Sequence, residues 1–108
     1  MNDFEALKKR ALEIRLRYED FEKKKTGKVW NNKDLAMGFA VDVGELMEII
    51  MAKEGARELA DVDRKLAHEL SDCLWCIFVL ADKYDLDIKQ EFLKTMGELD
   101  ERLDKAGV

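Results

Sequence analysis

The chain has 108 residues, 47% of them hydrophobic, with no proline and a formal net charge of −5. This length and composition fit a single domain over residues 1–108 with a hydrophobic core, and they exclude a disordered chain. The acidic balance argues against general nucleic-acid binding, and the apolar runs are shorter than the roughly 20 residues of a membrane helix. Two cysteines in an apolar stretch, and a start unlike a signal peptide, favour a cytoplasmic protein.

The first predicted element is a helix over residues 3–24. The absence of proline and the scarcity of β-branched residues favour helices throughout the chain. In this segment the apolar residues alternate at three- and four-residue spacing and form a narrow seam: Phe4, Leu7, Ala11, Ile14, Tyr18 and Phe21. A loop over residues 26–33 follows, and it contains Trp30.

The second helix is predicted over residues 34–53, with Asp34 as its N-cap and Gly55 as its stop signal. The third is predicted over residues 61–83. Both are apolar nearly all round, which is typical of buried helices. We therefore expect them to pack against each other and against a partner subunit.

The fourth helix is predicted to start at Asp87 and to end near Lys105. Asp87 with Gln90 three residues later resembles a capping box. Four helices joined by short connections predict an all-α fold, a four-helix bundle.

The central stretches of the second and third helices, residues 35–52 and 69–81, carry acidic residues but no lysine or arginine. Their apolar stretches contain five acids and no lysine or arginine: Asp42, Glu45, Glu48, Glu69 and Asp72. Burying carboxylates without a basic partner is costly, and converging carboxylates repel one another. A divalent cation would remove both costs, and carboxylate ligands suit Mg²⁺ or Mn²⁺.

The spacing of these acids supports a shared site. Residues three apart lie on one face of a helix, so Asp42 pairs with Glu45, and Glu69 pairs with Asp72. Two such pairs on facing helices can converge on one cavity, as in the di-metal sites of helical bundles. Glu48 continues the stripe, either as an extra ligand or as the helix edge that returns to solvent.

Two motifs resemble a known family. The segments Asp42-Val-Gly-Glu45-Leu-Met-Glu48 and His68-Glu69-Leu-Ser-Asp72-Cys-Leu-Trp75 are similar to those of the MazG-like, all-α nucleoside triphosphate pyrophosphohydrolases. The resemblance covers roughly residues 30–87. It implies four-helix subunits assembled as a homo-dimer or homo-tetramer, and Mg²⁺-dependent hydrolysis of a nucleoside triphosphate to the monophosphate and pyrophosphate, for nucleotide-pool control or housecleaning.

The family motifs place the metal ligands at Asp42, Glu45, Glu69 and Asp72. Asp42 stands where the family usually has Glu, and the last helix keeps only part of the usual tail. Glu45 and Glu48 are the candidate general bases. Trp30 is expected either to stack on a nucleobase or to plug the loop onto the bundle. Three basic residues are candidates for gripping the triphosphate: Lys53, Lys94 and Arg102.

Three other functions stay open. The first is a non-catalytic helical dimer with weakened chemistry, suggested by Asp42 and the altered last helix. The second is a related pyrophosphatase acting on a phosphoribosyl nucleotide in histidine synthesis. The third is a nucleic-acid binder that uses the basic segment over residues 23–28.

Overall fold

The computed structural model describes residues 3–108, which form four α-helices joined by short loops. Their bounds are Asp3–Thr26 for α1, Asn32–Lys53 for α2, Val62–Lys83 for α3 and Ile88–Lys105 for α4. No strand occurs in this part of the chain, so the prediction of an all-α protein with four helices is confirmed. None of the four helices, within residues 3–108, combines the length and apolar character needed to cross a membrane.

Side-chain caps fix the starts of α2 and α4. The prediction of Asp34 as the N-cap of α2 is wrong, because Asn31 is the N-cap. The Asn31 side chain accepts from the Asp34 N–H at 2.9 Å, and the Asp34 carboxylate accepts from the Asn31 N–H at 3.0 Å. This reciprocal pair satisfies two backbone donors, so it outcompetes a cap that satisfies one. At α4 the predicted cap is confirmed, since Asp87 accepts from the Gln90 N–H at 3.1 Å.

The helices end at left-handed residues. α1 runs two residues beyond the predicted end, to Thr26, and stops at Gly27 with φ of 77°. α2 stops at Lys53 as predicted, and Gly55 beyond it has φ of 92°. Glycine adopts this conformation without the steric cost that other residues incur.

The core lies mainly on α3, which packs along α2 and against α1. The predicted packing of the second helix on the third is therefore confirmed. The Phe4 and Phe78 rings lie 5.3 Å apart, and the Trp75 indole N–H donates to the Ala11 carbonyl at 2.9 Å. The buried hydrophobic residues are Ala11, Leu35, Ile49, Cys73, Cys76, Phe78, Val79 and Ala81.

The apolar seam of α1 is narrower than its sequence spacing predicts. Ala11 is buried and Ile14 half-buried, but Leu7, Tyr18 and Phe21 are exposed. Tyr18 and Phe21 stay exposed because they line a groove between α1 and the α2–α3 pair instead of packing against α2 and α3.

α4 stands apart from the other helices. None of its residues is buried, and it shares no extensive interface with α1, α2 or α3. The radius of gyration is 17.2 Å, whereas a compact chain of this length would have about 13 Å. The large apolar side chains that α4 leaves exposed are Phe92, Leu93, Met96, Leu99 and Leu103.

Candidate metal centre and adjoining groove

The packing of α2 on α3 brings three of the predicted ligands together. One carboxylate oxygen from each of Asp42, Glu45 and Glu69 lies within 4.8 Å of the other two. Asp42 and Glu69 are half-buried, and Glu45 is exposed. The two helices thus present their acids to one place, as the three-residue spacing predicts. This cluster of Asp42, Glu45 and Glu69 is called the acidic cluster below.

The fourth predicted ligand, Asp72, lies beside this cluster in a second group. One atom from each of His68, Glu69 and Asp72 lies within 4.8 Å of the others. His68 Nε2 is 3.1 Å from Asp72 Oδ2, although the histidine side chain is largely exposed. Glu69 belongs to both groups, so it occupies the centre of the four predicted ligands.

Glu69 is the carboxylate of the site whose charged form is disfavoured by its surroundings. Its Oε2 atom is buried and has no hydrogen-bond partner. Burial raises the pKa of Glu69, and the nearby charges of Glu45, Asp72 and Asp42 raise it further. No lysine or arginine within residues 3–108 forms an ion pair with the acidic cluster.

This donor set fits a hard divalent cation. Three carboxylates, one of them with a buried oxygen that lacks a partner, offer the oxygen ligands that Mg²⁺ and Mn²⁺ prefer. Glu48 lies outside both groups and is exposed. Of its two predicted roles, the structure favours the helix edge facing solvent.

A buried cysteine contacts the acidic cluster. Cys76 on α3 is buried, and its Sγ donates to Asp42 Oδ2 across 3.4 Å. Burial is the larger cause and this hydrogen bond the next, and together with the nearby charges they raise the pKa of the Cys76 thiol to about 12. No sequence signal points to this contact, because it depends on the register between α2 and α3.

An aromatic groove adjoins the acidic cluster. It has a volume of about 880 Å³ and lies between α1, the following loop, α2 and α3. Asp42 and Asp72 line it as well, so the groove connects an apolar region to the carboxylates. This combination of apolar walls and a few polar groups is typical of small-molecule sites. Its aromatic walls are Tyr18, Phe21, Trp30 and Trp75.

Trp30 is held at the groove by its backbone and by its ring. Its N–H donates to Glu22 Oε1 at 2.8 Å, and its carbonyl accepts from Arg15 at 3.3 Å. Arg15 is buried and pairs with Glu22 at 3.0 Å. A Cβ placed on Gly38 would lie 2.9 Å from the Trp30 ring, so only glycine permits this approach. Trp30 thus fastens the loop to the bundle and also lines the groove, whereas its stacking on a nucleobase stays a prediction.

Trp75 lines the groove as well. It lies in an apolar run, a pattern typical of core residues, yet its side chain is half-buried. Its N–H bond to Ala11 and its tilted contact with Tyr18, 5.7 Å between ring centres, fix its orientation.

The three basic residues expected at the phosphates lie elsewhere in this chain. Lys53 ends α2, about 12 Å along the helix from Glu45, and pairs with Asp63. Lys94 and Arg102 lie on α4, which shares no extensive interface with the helices of the acidic cluster. Lys25 lines the groove instead, with its Nζ 5.6 Å from the Phe21 ring centre. Lys25 is the last of three consecutive lysines, and the sequence gives no sign that this one lines the groove.

Comparison of the chain with protein-family models, curated proteins and solved structures gives no match. The MazG-like resemblance therefore stays a prediction that rests on the two acidic motifs.

Proposed function

We propose that the chain is a Mg²⁺-dependent nucleoside triphosphate pyrophosphohydrolase that acts in nucleotide-pool control or housecleaning. The observation that carries this proposal is the convergence of Asp42, Glu45 and Glu69, with one buried Glu69 oxygen lacking a partner. The aromatic groove that opens onto these carboxylates supports it. The reaction adds water to a nucleoside triphosphate and yields the monophosphate and pyrophosphate.

The ligands of the cation would be Asp42, Glu45, Glu69 and Asp72. Mg²⁺ held there would screen the charge of the triphosphate and polarise its phosphoryl oxygens; Mn²⁺ is the alternative cation. His68 already holds Asp72 by a contact of 3.1 Å, which orients that carboxylate from the solvent side.

Glu45 and Glu48 are the candidate bases for the attacking water. In the reaction the water oxygen bonds to the α-phosphorus, the bond from that phosphorus to the bridging oxygen breaks, and a carboxylate accepts the water proton. Glu48 lies one turn beyond Glu45 and outside the acidic cluster, which leaves its oxygens free for a proton. Glu45 belongs to the cluster, so its loss affects cation binding as well.

The groove would hold the nucleoside. Aromatic faces accept bases by stacking, and Trp30 presents an indole that Glu22, Arg15 and Gly38 keep in place. A base stacked there lies in the same groove as Asp42 and Asp72, so the triphosphate reaches the carboxylates. Lys25 at the groove supplies a positive charge for the phosphate tail.

Assembly as a homo-dimer or homo-tetramer belongs to the same proposal. The exposed apolar face of α4 and the exposed Met37, Val41 and Met47 on α2 support it, since monomers rarely leave such faces in water. Lys94 and Arg102 can act on the phosphates only in an assembly that brings α4 of one copy to the acidic cluster of another. A non-catalytic helical dimer is the second candidate, because these exposed faces favour it equally.

The test is pyrophosphate release from a panel of ribo- and deoxyribonucleoside triphosphates with Mg²⁺ or Mn²⁺. We expect monophosphate and pyrophosphate in equal amounts from at least one nucleotide. Glu69→Gln should abolish this release, while Glu58→Gln, which changes an exposed loop carboxylate, should leave it unchanged. Diphosphate and orthophosphate as products would refute the reaction, and no turnover by the folded protein would favour the non-catalytic dimer.

The two candidate bases can be separated kinetically. Glu48→Gln should lower kcat without weakening Mn²⁺ binding, because Glu48 lies outside the acidic cluster. Glu45→Gln should weaken Mn²⁺ binding directly. Equal loss of Mn²⁺ affinity in both variants would place Glu48 among the ligands.

A further inference from the structure

Cys76 and Asp42 form a contact that links the core to the acidic cluster. Cys76 is 7% exposed and lies on α3, while Asp42 is half-buried on α2. Sγ and Asp42 Oδ2 are 3.4 Å apart. An aspartate carboxylate only accepts hydrogen bonds, so the thiol S–H is the donor.

The contact leaves Asp42 able to bind a cation. A carboxylate offers about four lone-pair sites on its two oxygens, and the thiol occupies one of them on Oδ2. An Asp42 oxygen also lies within 4.8 Å of oxygens from Glu45 and Glu69. The thiol bond therefore limits the rotation of a short side chain while its carboxylate faces the other two.

We infer that Cys76 is a positioning residue for Asp42: its thiol holds the carboxylate turned towards Glu45 and Glu69 and so strengthens the binding of a hard divalent cation. This inference rests on the proposed function, since it takes the acidic cluster as the cation site. Cys76 acts through Asp42 and does not itself contact the cation.

Cys73 provides a matched control. It lies three residues before Cys76 on the same helix and is buried to a similar degree, at 9% exposed. These two are the only cysteines of the chain, so each can be changed alone and the other observed. If a cavity in α3 weakens cation binding, substitution of either cysteine should weaken it. If the positioning of Asp42 matters, only substitution of Cys76 should weaken it.

The main experiment measures Mn²⁺ binding to the purified protein by titration calorimetry. Cys76→Ala should weaken binding about three- to tenfold, the range that one hydrogen bond represents. Cys76→Ser keeps a donor and should restore affinity to within about twofold of the wild type. Cys73→Ala should bind as the wild type does.

Each other result overturns the inference. Wild-type affinity in folded Cys76→Ala refutes positioning while leaving the cation site intact. Absence of Mn²⁺ binding by the wild type refutes both the positioning and the cation site. A larger loss for Cd²⁺ than for Mn²⁺ in Cys76→Ala would identify the sulfur as a ligand. A protein that binds Mn²⁺ but does not hydrolyse nucleotides would leave this inference intact, because the experiment measures Mn²⁺ affinity and not turnover.

A spectroscopic measurement keeps the inference testable if Cys76→Ala does not fold. A thiol that donates a hydrogen bond has its S–H stretch at lower frequency than a free thiol. We expect two S–H bands, with the lower one lost in Cys76→Ser and moved to the free position in Asp42→Ala. A lower band that is unchanged in Asp42→Ala would refute the contact.

Discussion

Replacing Glu69 by glutamine should stabilise the protein in the absence of divalent cations. Glu69 has a buried oxygen without a partner and lies within 4.8 Å of Glu45 and Asp42. Glutamine has the same shape, carries no charge and donates N–H bonds that the neighbouring carboxylates accept. The variant therefore removes an electrostatic cost that the wild type retains.

The size of the effect follows from the geometry. Two unit charges 4.8 Å apart repel by about 0.9 kcal/mol even at the dielectric constant of water. An unsatisfied buried acceptor adds about 1–3 kcal/mol, of which relaxation of exposed Glu45 recovers a part. We expect Glu69→Gln to raise the free energy of unfolding at pH 7 by about 1–2 kcal/mol, and each kcal/mol raises Tm by roughly 4–8 °C.

The gain should depend on pH. The pKa of Glu69 is raised by burial and by Glu45, Asp72 and Asp42, so the folded state binds its proton more tightly than the unfolded chain does. The ionised form costs stability above the folded pKa. That cost fades as pH falls through the folded pKa and is gone below the unfolded value. The difference between variant and wild type should therefore shrink from pH 7 to pH 4, which lies below the ordinary glutamate pKa of 4.5.

The assay is thermal and urea unfolding at fixed protein concentration with a chelator, followed by circular dichroism, with Glu58→Gln as the control. With saturating Mg²⁺ the wild type should become more stable than Glu69→Gln, because a ligand at 100 times its Kd stabilises the folded wild type by about 2.7 kcal/mol. The reasoning is refuted if Glu69→Gln lowers Tm at pH 7 without cations, or if its gain in stability is the same at pH 4 and pH 7.

Three further changes test other parts of the structure. Gly38→Ala places a Cβ 2.9 Å from the Trp30 ring and should shift tryptophan emission to the red, whereas Gly44→Ala, which meets open space, should not. Arg15→Met leaves the half-buried Glu22 carboxylate without its cationic partner and should lower the free energy of unfolding by about 3 kcal/mol, measured in urea. Leu99→Glu on the exposed face of α4 should reduce the mass of any homo-oligomer in light scattering; an unchanged mass would place the interface elsewhere.

Local sequence signals were sufficient to predict the number and the approximate bounds of the helices. Gly55 and the Asp87 cap act through neighbours in the chain, so their effects could be predicted without tertiary structure. Asp34 was misplaced because Asn31 and Asp34 both suit an N-cap, and only the reciprocal bond decides between them. The convergence of three acids could also be predicted, since three-residue spacing puts each acid pair on one helix face and the two helices pack together.

Features that depend on the relative placement of distant segments could not be predicted. The Cys76 contact with Asp42 joins residues 34 positions apart, and the Arg15 contact with Trp30 joins residues 15 apart. The exposed face of α4 is another case. Its helical spacing is that of a core-facing helix, and periodicity does not tell whether the covering surface belongs to the same chain.

The bond from the Trp75 indole to the Ala11 carbonyl has a consequence for biosynthesis. Its two ends are 64 residues apart, so at about 5–20 residues per second the ribosome needs roughly 3–13 s to deliver the partner of α1. During this interval the α3 surface that covers the apolar stripe of α1 has not yet been made, while three consecutive lysines lie in the last turn of α1. The α2–α3 hairpin must emerge before α1 can dock, which makes the docking of α1 a late step of co-translational folding.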